Sequence, residues 1–271
     1  VEKVQSKFRA LYRFIVFILL VLGYLAKGFI IHWTVKNADE RRRRFMWLAH
    51  STIVVILKKF NITVEVKNPP PSEDVCLLVG NHIGFIDILS IASTGPICFV
   101  TSKEMHETPV LGLLTEMGGC MYVERRRRAN IVNEMQEMAA EMRKGFRVLL
   151  YPEATSTNGE QVLPFKKTLI MSAAYAGCPI RPYVFNFKSV NNGEVEFKHQ
   201  DYLCWYGDQS FVGALWRSLQ LNSLHVEIEF LEPIFPNVDD DRGVIARKAH
   251  HAVASKFRPF VNPFRDLEAL G

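Results

Sequence analysis

His82 and Asp87 stand five positions apart in residues 80–87, GNHIGFID, directly after the apolar run VCLLV at 75–79. An imidazole can take a proton from an alcohol, and a carboxylate on its other ring nitrogen fixes the tautomer and stabilises the charge the ring acquires. In α/β sheets ligands bind beyond the carboxyl ends of strands. His82 falls at such an end if 75–79 is a strand, and Gly80 and Gly84 let backbone approach closely around it. A polar Asn-His pair there is not demanded by packing. With eight histidines in the chain, the spacing alone fits equally a surface histidine beside a helix-capping aspartate, so the surroundings must decide.

Those surroundings alternate in type. ITVEV (62–66) has strand periodicity, Pro69, Pro70 and Pro71 break the chain, and 75–79 reads as a buried strand. Residues 86–92 predict a short helix closed by Gly95-Pro96, and 97–102 the next strand. In 129–144, Ile131, Met135, Met138, Ala139 and Met142 share one helical face, with Gly145 as the stop; this methionine stripe reads as core. RVLLY (147–151) is a buried strand followed by a loop. Residues 165–176 predict a helix ending at Gly177, and 180–187 an extended segment. Asn192-Gly193 predicts a hairpin turn into a strand at 194–199. Residues 225–233 alternate with Val226, Ile228 and Phe230 inward. A last helix runs from near Asp240 to about Phe257, because Pro259 disfavours helical geometry at Arg258. Strands alternating with helices predict an α/β domain over residues 61–271, a mixed, mostly parallel sheet flanked by helices.

The first sixty residues differ. Phe14 to Ala26 is an uncharged apolar run, interrupted by Lys27 and resumed in GFIIHW; a second run spans Phe45 to Leu57, between Arg41–Arg44 and Lys58-Lys59. Each is shorter than the roughly 20 residues of a spanning helix. Basic residues flank both ends of both runs, whereas a spanning helix concentrates them on one side. The pattern predicts an N-terminal membrane-embedded two-helix hairpin over residues 1–60, dipped into one leaflet with membrane lipids as partners. Packing of these helices on a soluble core is the competing reading. A formal charge of +5 suits an anionic surface, and no aromatic platform accompanies the basic residues, so nucleic acid is not expected. Five scattered cysteines without zinc spacing fit a reducing compartment, with neither disulfides nor a metal.

The block NHIGFID resembles the NHxxxxD signature of the glycerolipid acyltransferases, the family that contains 1-acylglycerol-3-phosphate and lysophospholipid acyltransferases. Three further blocks resemble that family's in order: GCMYVER (119–125), YPEATSTNG (151–159), usually written F-P-E-G-T-R, and AGCPIRPYV (176–184). The resemblance covers about residues 75–190, and the N-terminal helical pair resembles the membrane anchor of some members. It implies that His82 is the general base on a lysolipid hydroxyl and that Asp87 orients it. The deprotonated oxygen then attacks the thioester of an acyl-CoA or acyl-carrier protein, a co-substrate rather than a cofactor. No acyl-enzyme is implied, and no GxSxG nucleophile motif occurs. It also implies substrate contacts: Arg125 to a phosphate, Glu153 as a partner of Arg125 or a direct contact, Thr155 as ligand or loop-shaping residue, and Lys166 or Lys167 as a lesser positive contact. Arg126–Arg128 would be a collar on the anionic bilayer or a solvated turn. The location implied is the cytoplasmic face of a bacterial inner membrane or an organellar membrane.

Two positions depart from the family pattern. Ala154 replaces a glycine, tolerable if its φ is negative. Ser156 replaces an arginine associated with the acceptor's terminal phosphate, and a guanidinium fork is well suited to such a group. That loss weakens the case for lysophosphatidic acid, and ATSTNG…LPFK resembles acyltransferases of headgroup-bearing lysophospholipids. Both acceptors stay open at this point. The alternative from another class is a non-catalytic protein that binds anionic membranes.

Overall fold

The computed structural model describes residues 2–124 and 131–261. Seven strands form one sheet in the order β1-β7-β6-β2-β5-β3-β4. They are β1 (Ile62–Lys67), β2 (Leu77–Gly80), β3 (Cys98–Ser102), β4 (Met121–Val123), β5 (Val148–Leu150), β6 (Ile180–Val190) and β7 (Leu224–Phe230). All neighbours are parallel except β6 and β7, which pair antiparallel. β2 is flanked by both β5 and β6, with Leu77 opposite Val148 on one side and Ile180 on the other. A central parallel strand is covered on both faces, which explains its unbroken apolar run.

The pleat divides that run between two cores. Leu77 and Val79 face a layer containing Met135, Met138 and Met142 of α6 (Ile131–Arg143), whereas Cys76 and Leu78 face the layer of α3 (Phe85–Ala92), with Ile86 and Ile91. The methionine stripe is therefore core. α10 (Arg242–Ala254), capped by Asp241, contributes Ile245, Ala249 and Val253 to the first layer.

At the N-terminus, α1 (Glu2–Thr34) runs unbroken through Lys27, and α2 (Ala38–Lys59) packs against it. α1 is long and apolar enough to cross a membrane: its most apolar 18-residue window has a mean hydropathy of 2.5. One side of it is docked on the domain. Arg13 donates to the carbonyls of Leu219, Leu221 and Asn222, and Arg9 to that of Gln220, around the end of α9 (Phe211–Leu219). Ala10 packs with Ile56 and Phe60 against Leu215 and Leu219, and the Tyr24 hydroxyl donates to Leu114 O in α5 (Leu111–Glu116). The other side leaves Phe8, Leu11, Ile15, Leu19, Leu22, Ile30 and Trp33 exposed. Part of the arginine run at the start of α2 is also committed to the domain. Arg42 pairs with Glu141, and Arg43 lies over the Phe146 ring and donates to Lys144 O.

Local differences from the sequence reading have identifiable causes. The helix expected over 165–176 shrinks to a 3-10 turn at Leu169–Met171 and α7 (Ser172–Ala176), because Lys166 N–H is drawn to Pro152 O by the preceding loop. Gly177 ends it in the left-handed conformation. The turn at Asn192-Gly193 forms, but residues 194–199 do not continue as a strand; both edges of β6 are already occupied, by β2 and β7. Four short elements carried no legible pattern: β4, α4 (Lys103–Glu107), α5, and α8 (Gln200–Leu203).

Candidate active site

β2 ends at Gly80, where the Tyr183 ring lies so close that a Cβ would collide with it. The next residue, Asn81, is structural: its Oδ1 accepts from Phe185 N–H at 2.8 Å and its Nδ2 donates to Phe185 O at 3.0 Å. Packing on β6 does require this polar side chain, contrary to the sequence reading. At Gly84 a Cβ would press on the backbone of Trp205, whose N–H donates to Ile83 O at 3.0 Å. These contacts fix the loop that carries His82 and the start of α3 that carries Asp87.

The structure brings the two candidate residues together. His82 Nδ1 is 3.2 Å from each Asp87 oxygen. Asp87, only 1 % exposed, is held by further donors: Ile83 N–H (2.6 Å) and Gly84 N–H (2.7 Å) on Oδ2, and the Tyr151 hydroxyl (2.7 Å) on Oδ1. The His82 and Tyr151 rings are stacked, with centroids 4.0 Å apart and planes 17° from parallel. Burial, then the adjacent Asp87 carboxylate, pushes the Tyr151 phenol well above its ordinary range, so the group is a fixed donor. With Nδ1 turned to the carboxylate, Nε2 is the nitrogen left to act as a base.

The loop after β5 (residues 151–159) wraps the same segment. Glu153, 3 % exposed, accepts from His82 N–H at 2.7 Å through Oε1 and from Leu163 N–H at 2.6 Å through Oε2. Burial raises its carboxyl to about 7, against the lowering effect of those two N–H groups and of His82. Thr157 donates to His82 O from its N–H (2.9 Å) and its hydroxyl (3.2 Å). Glu153 and Thr157 thus clamp the backbone of His82 from both sides.

The remaining candidates scatter. Thr155 is exposed on the wall of the cavity that His82 lines. Ser156 lines it too, with its hydroxyl committed to Trp205 O at 2.6 Å. Ala154 has φ +62°, so the condition under which alanine would be tolerated there fails; the left-handed region costs a non-glycine residue about 1–2 kcal/mol. Lys166 is apart from His82, beside Lys167 and Arg247 in a separate shallow pocket. Arg125, with Arg126–Arg128, lies outside the described residues.

The cavity at His82 has a volume of about 470 Å³. Its walls come from α1 (Phe17, Val21, Tyr24), α2 (His50, Ile53), α3 (Phe85, Leu89), β3 (Phe99) and the segment with Trp205 and Phe211. Among the described residues no Asp, Glu, Lys or Arg lines it. A carboxylate-supported imidazole at the edge of an apolar cavity, partly bounded by the N-terminal helices, can deprotonate the hydroxyl of an amphiphile whose chain fills that space.

Comparison with known proteins points the same way. A family model described as Acyltransferase matches residues 61–186. A lyso-ornithine lipid O-acyltransferase from Brucella abortus is 29% identical over 184 residues, covering 65% of this chain and 69% of that protein. Its namesake from Pseudomonas aeruginosa is 30% identical over 193 residues, covering 70% of each. Among solved structures, PlsC from Thermotoga maritima, a 1-acyl-sn-glycerophosphate (LPA) acyltransferase, superposes with a TM-score of 0.67. The superposition covers 99% of this chain and 98% of that one, at 16% identity. At that identity the likeness is one of fold.

Proposed function

Since this chain belongs to the acyltransferase family of lysophospholipid and 1-acylglycerol-3-phosphate acyltransferases, we propose that it transfers a fatty acyl group from a thioester to the free hydroxyl of a headgroup-bearing lysolipid, with His82 as base. The observation that carries the reading is the His82–Asp87 pair at the edge of an apolar cavity. Nε2 takes the proton of the acceptor hydroxyl while Nδ1–H stays on Asp87. The acceptor oxygen forms a bond to the thioester carbonyl carbon. Collapse of the tetrahedral adduct breaks the C–S bond, and the imidazolium returns its proton to the departing thiolate. The donor is acyl-CoA or an acyl-carrier protein thioester, and the acyl chain occupies the cavity.

The choice of acceptor rests on position 156. Where the family motif carries an arginine, this chain has a serine bound to Trp205 O, and no cation lines the cavity among the described residues. At position 156 a phosphomonoester would find no guanidinium fork. The two relatives from Brucella and Pseudomonas are named for a lyso-ornithine lipid, the structural neighbour for LPA. The site of action we propose is the cytoplasmic face of a membrane, with α1 lying along the surface. Both halves of α1 are tied to the domain, at α9 and at α5, so a perpendicular crossing would drag the domain into hydrocarbon.

An acceptor panel with radiolabelled acyl-CoA and acyl-carrier protein, run on wild type and Ser156→Arg, tests this. Wild type is expected to favour a headgroup-bearing lysolipid over lysophosphatidic acid, and Ser156→Arg to shift that ratio about tenfold toward the phosphomonoester. An unshifted ratio contradicts the role given to position 156.

A further inference from the structure

We propose that Tyr151 is a positioning residue for the acyl transfer: its hydroxyl limits how much of the Asp87 charge reaches the imidazole, while its ring holds that imidazole in plane. The inference rests on His82 being the base. The block that Tyr151 opens is usually written with phenylalanine, and this chain carries a tyrosine there.

The geometry separates the two tasks. His82 Nδ1 lies 3.2 Å from both Asp87 oxygens; Oδ2 also accepts from two backbone N–H groups at the start of α3, and Oδ1 from the Tyr151 hydroxyl at 2.7 Å. A donor on a carboxylate oxygen draws charge away from any other partner of that oxygen. The hydroxyl therefore tempers the stabilisation that Asp87 gives to an imidazolium. The ring acts separately: stacked at 4.0 Å, it blocks rotation of the imidazole away from the carboxylate. The other titratable groups around the pair are Tyr183 of β6, packed behind Tyr151, Glu153 in the loop after β5, and Cys204. Of these, Tyr183 alone interacts directly with the Tyr151 hydroxyl, and its phenol is held far above its ordinary range by burial, so it stays neutral in the variant too.

During transfer the phenol keeps its proton. The acceptor proton moves to Nε2 and then to the leaving thiolate, so Tyr151 sets the poise of the base without entering the proton balance.

The test is the pH dependence of kcat and KM for the full chain in detergent micelles, with wild type, Tyr151→Phe and Tyr151→Leu. Tyr151→Phe keeps the stacked ring and loses only the hydroxyl. Its acid-side fall in kcat/KM is expected about half a pH unit to one unit higher, because a more strongly stabilised imidazolium must be deprotonated first. The KM for the thioester is expected to stay within about twofold. Tyr151→Leu adds a loss of about tenfold in kcat from the unstacked imidazole. Profiles of Tyr151→Phe and wild type that superimpose, or a change confined to KM, would overturn the proposal. His82→Ala in the same assay separates the two claims: an inactive His82→Ala beside an unshifted Tyr151→Phe sinks only the tyrosine's role, whereas an active His82→Ala sinks the base itself.

Discussion

Ala154 is the residue whose backbone works against its type. Its φ of +62° places a Cβ in a region that glycine enters freely, two residues after Pro152 and beside the Glu153 that clamps His82. Strain of this kind persists where the surroundings over-determine the backbone. Ala154→Gly is expected to stabilise the protein by about 1 kcal/mol, raising the melting temperature by about 2–4 °C in a detergent-solubilised thermal scan. A melting point that is lower in the glycine variant contradicts the strain. At this scale the sequence showed part of the site. The His82–Asp87 spacing and the four ordered blocks located the pair. Asn81 was read as not demanded by packing, and Tyr151 and Thr157 only as members of a motif block, because their partners lie on other strands and loops. Lys166 lies in a different pocket from His82, and adjacency to LPF along the chain said nothing about which way the loop turns after Glu153. Trp205, which covers Gly84 and accepts from Ser156, has no signature in the sequence. It arrives from 49 positions beyond Ser156.

Among the elements, α1 does two things that its composition announces only in part. Its apolar outer face was legible as a run of uncharged residues, and its continuity through Lys27 follows because an exposed lysine can extend away from the apolar stripe. Its docking was not legible. Arg9 and Arg13 read as basic flanks of a membrane segment, whereas Arg13 meets three carbonyls around the C-terminal end of α9, where a cation is favoured by the helix dipole as well. Arg13→Ala is expected to cost about 1.5–3 kcal/mol and to release α1 to limited proteolysis between α1 and α2. A variant with wild-type melting and cleavage would show that the guanidinium does not secure the helix. Strands β1, β2, β3, β5 and β7 and helices α3, α6 and α10 were readable from periodicity and from Gly and Pro stops. β4, at three residues, is too short to express a period, and α4, α5 and α8 are scarcely longer.

The whole molecule joins an apolar surface to the candidate site. α1 and α2 supply a wall of the cavity that contains His82, so the N-terminal hairpin shapes the site as well as presenting exposed Phe, Leu, Ile and Trp side chains outward. An amphiphile partitioned into a leaflet beside α1 would keep its chain in apolar surroundings along the way to the imidazole. This arrangement predicts that chemistry and membrane contact separate cleanly on mutation. The decisive measurement is acyl transfer by His82→Ala alongside its flotation with anionic vesicles. The account predicts a loss of about 10²-fold or more in kcat with vesicle binding and melting temperature as in wild type. Retention of most of the activity in the bound, folded variant would contradict it.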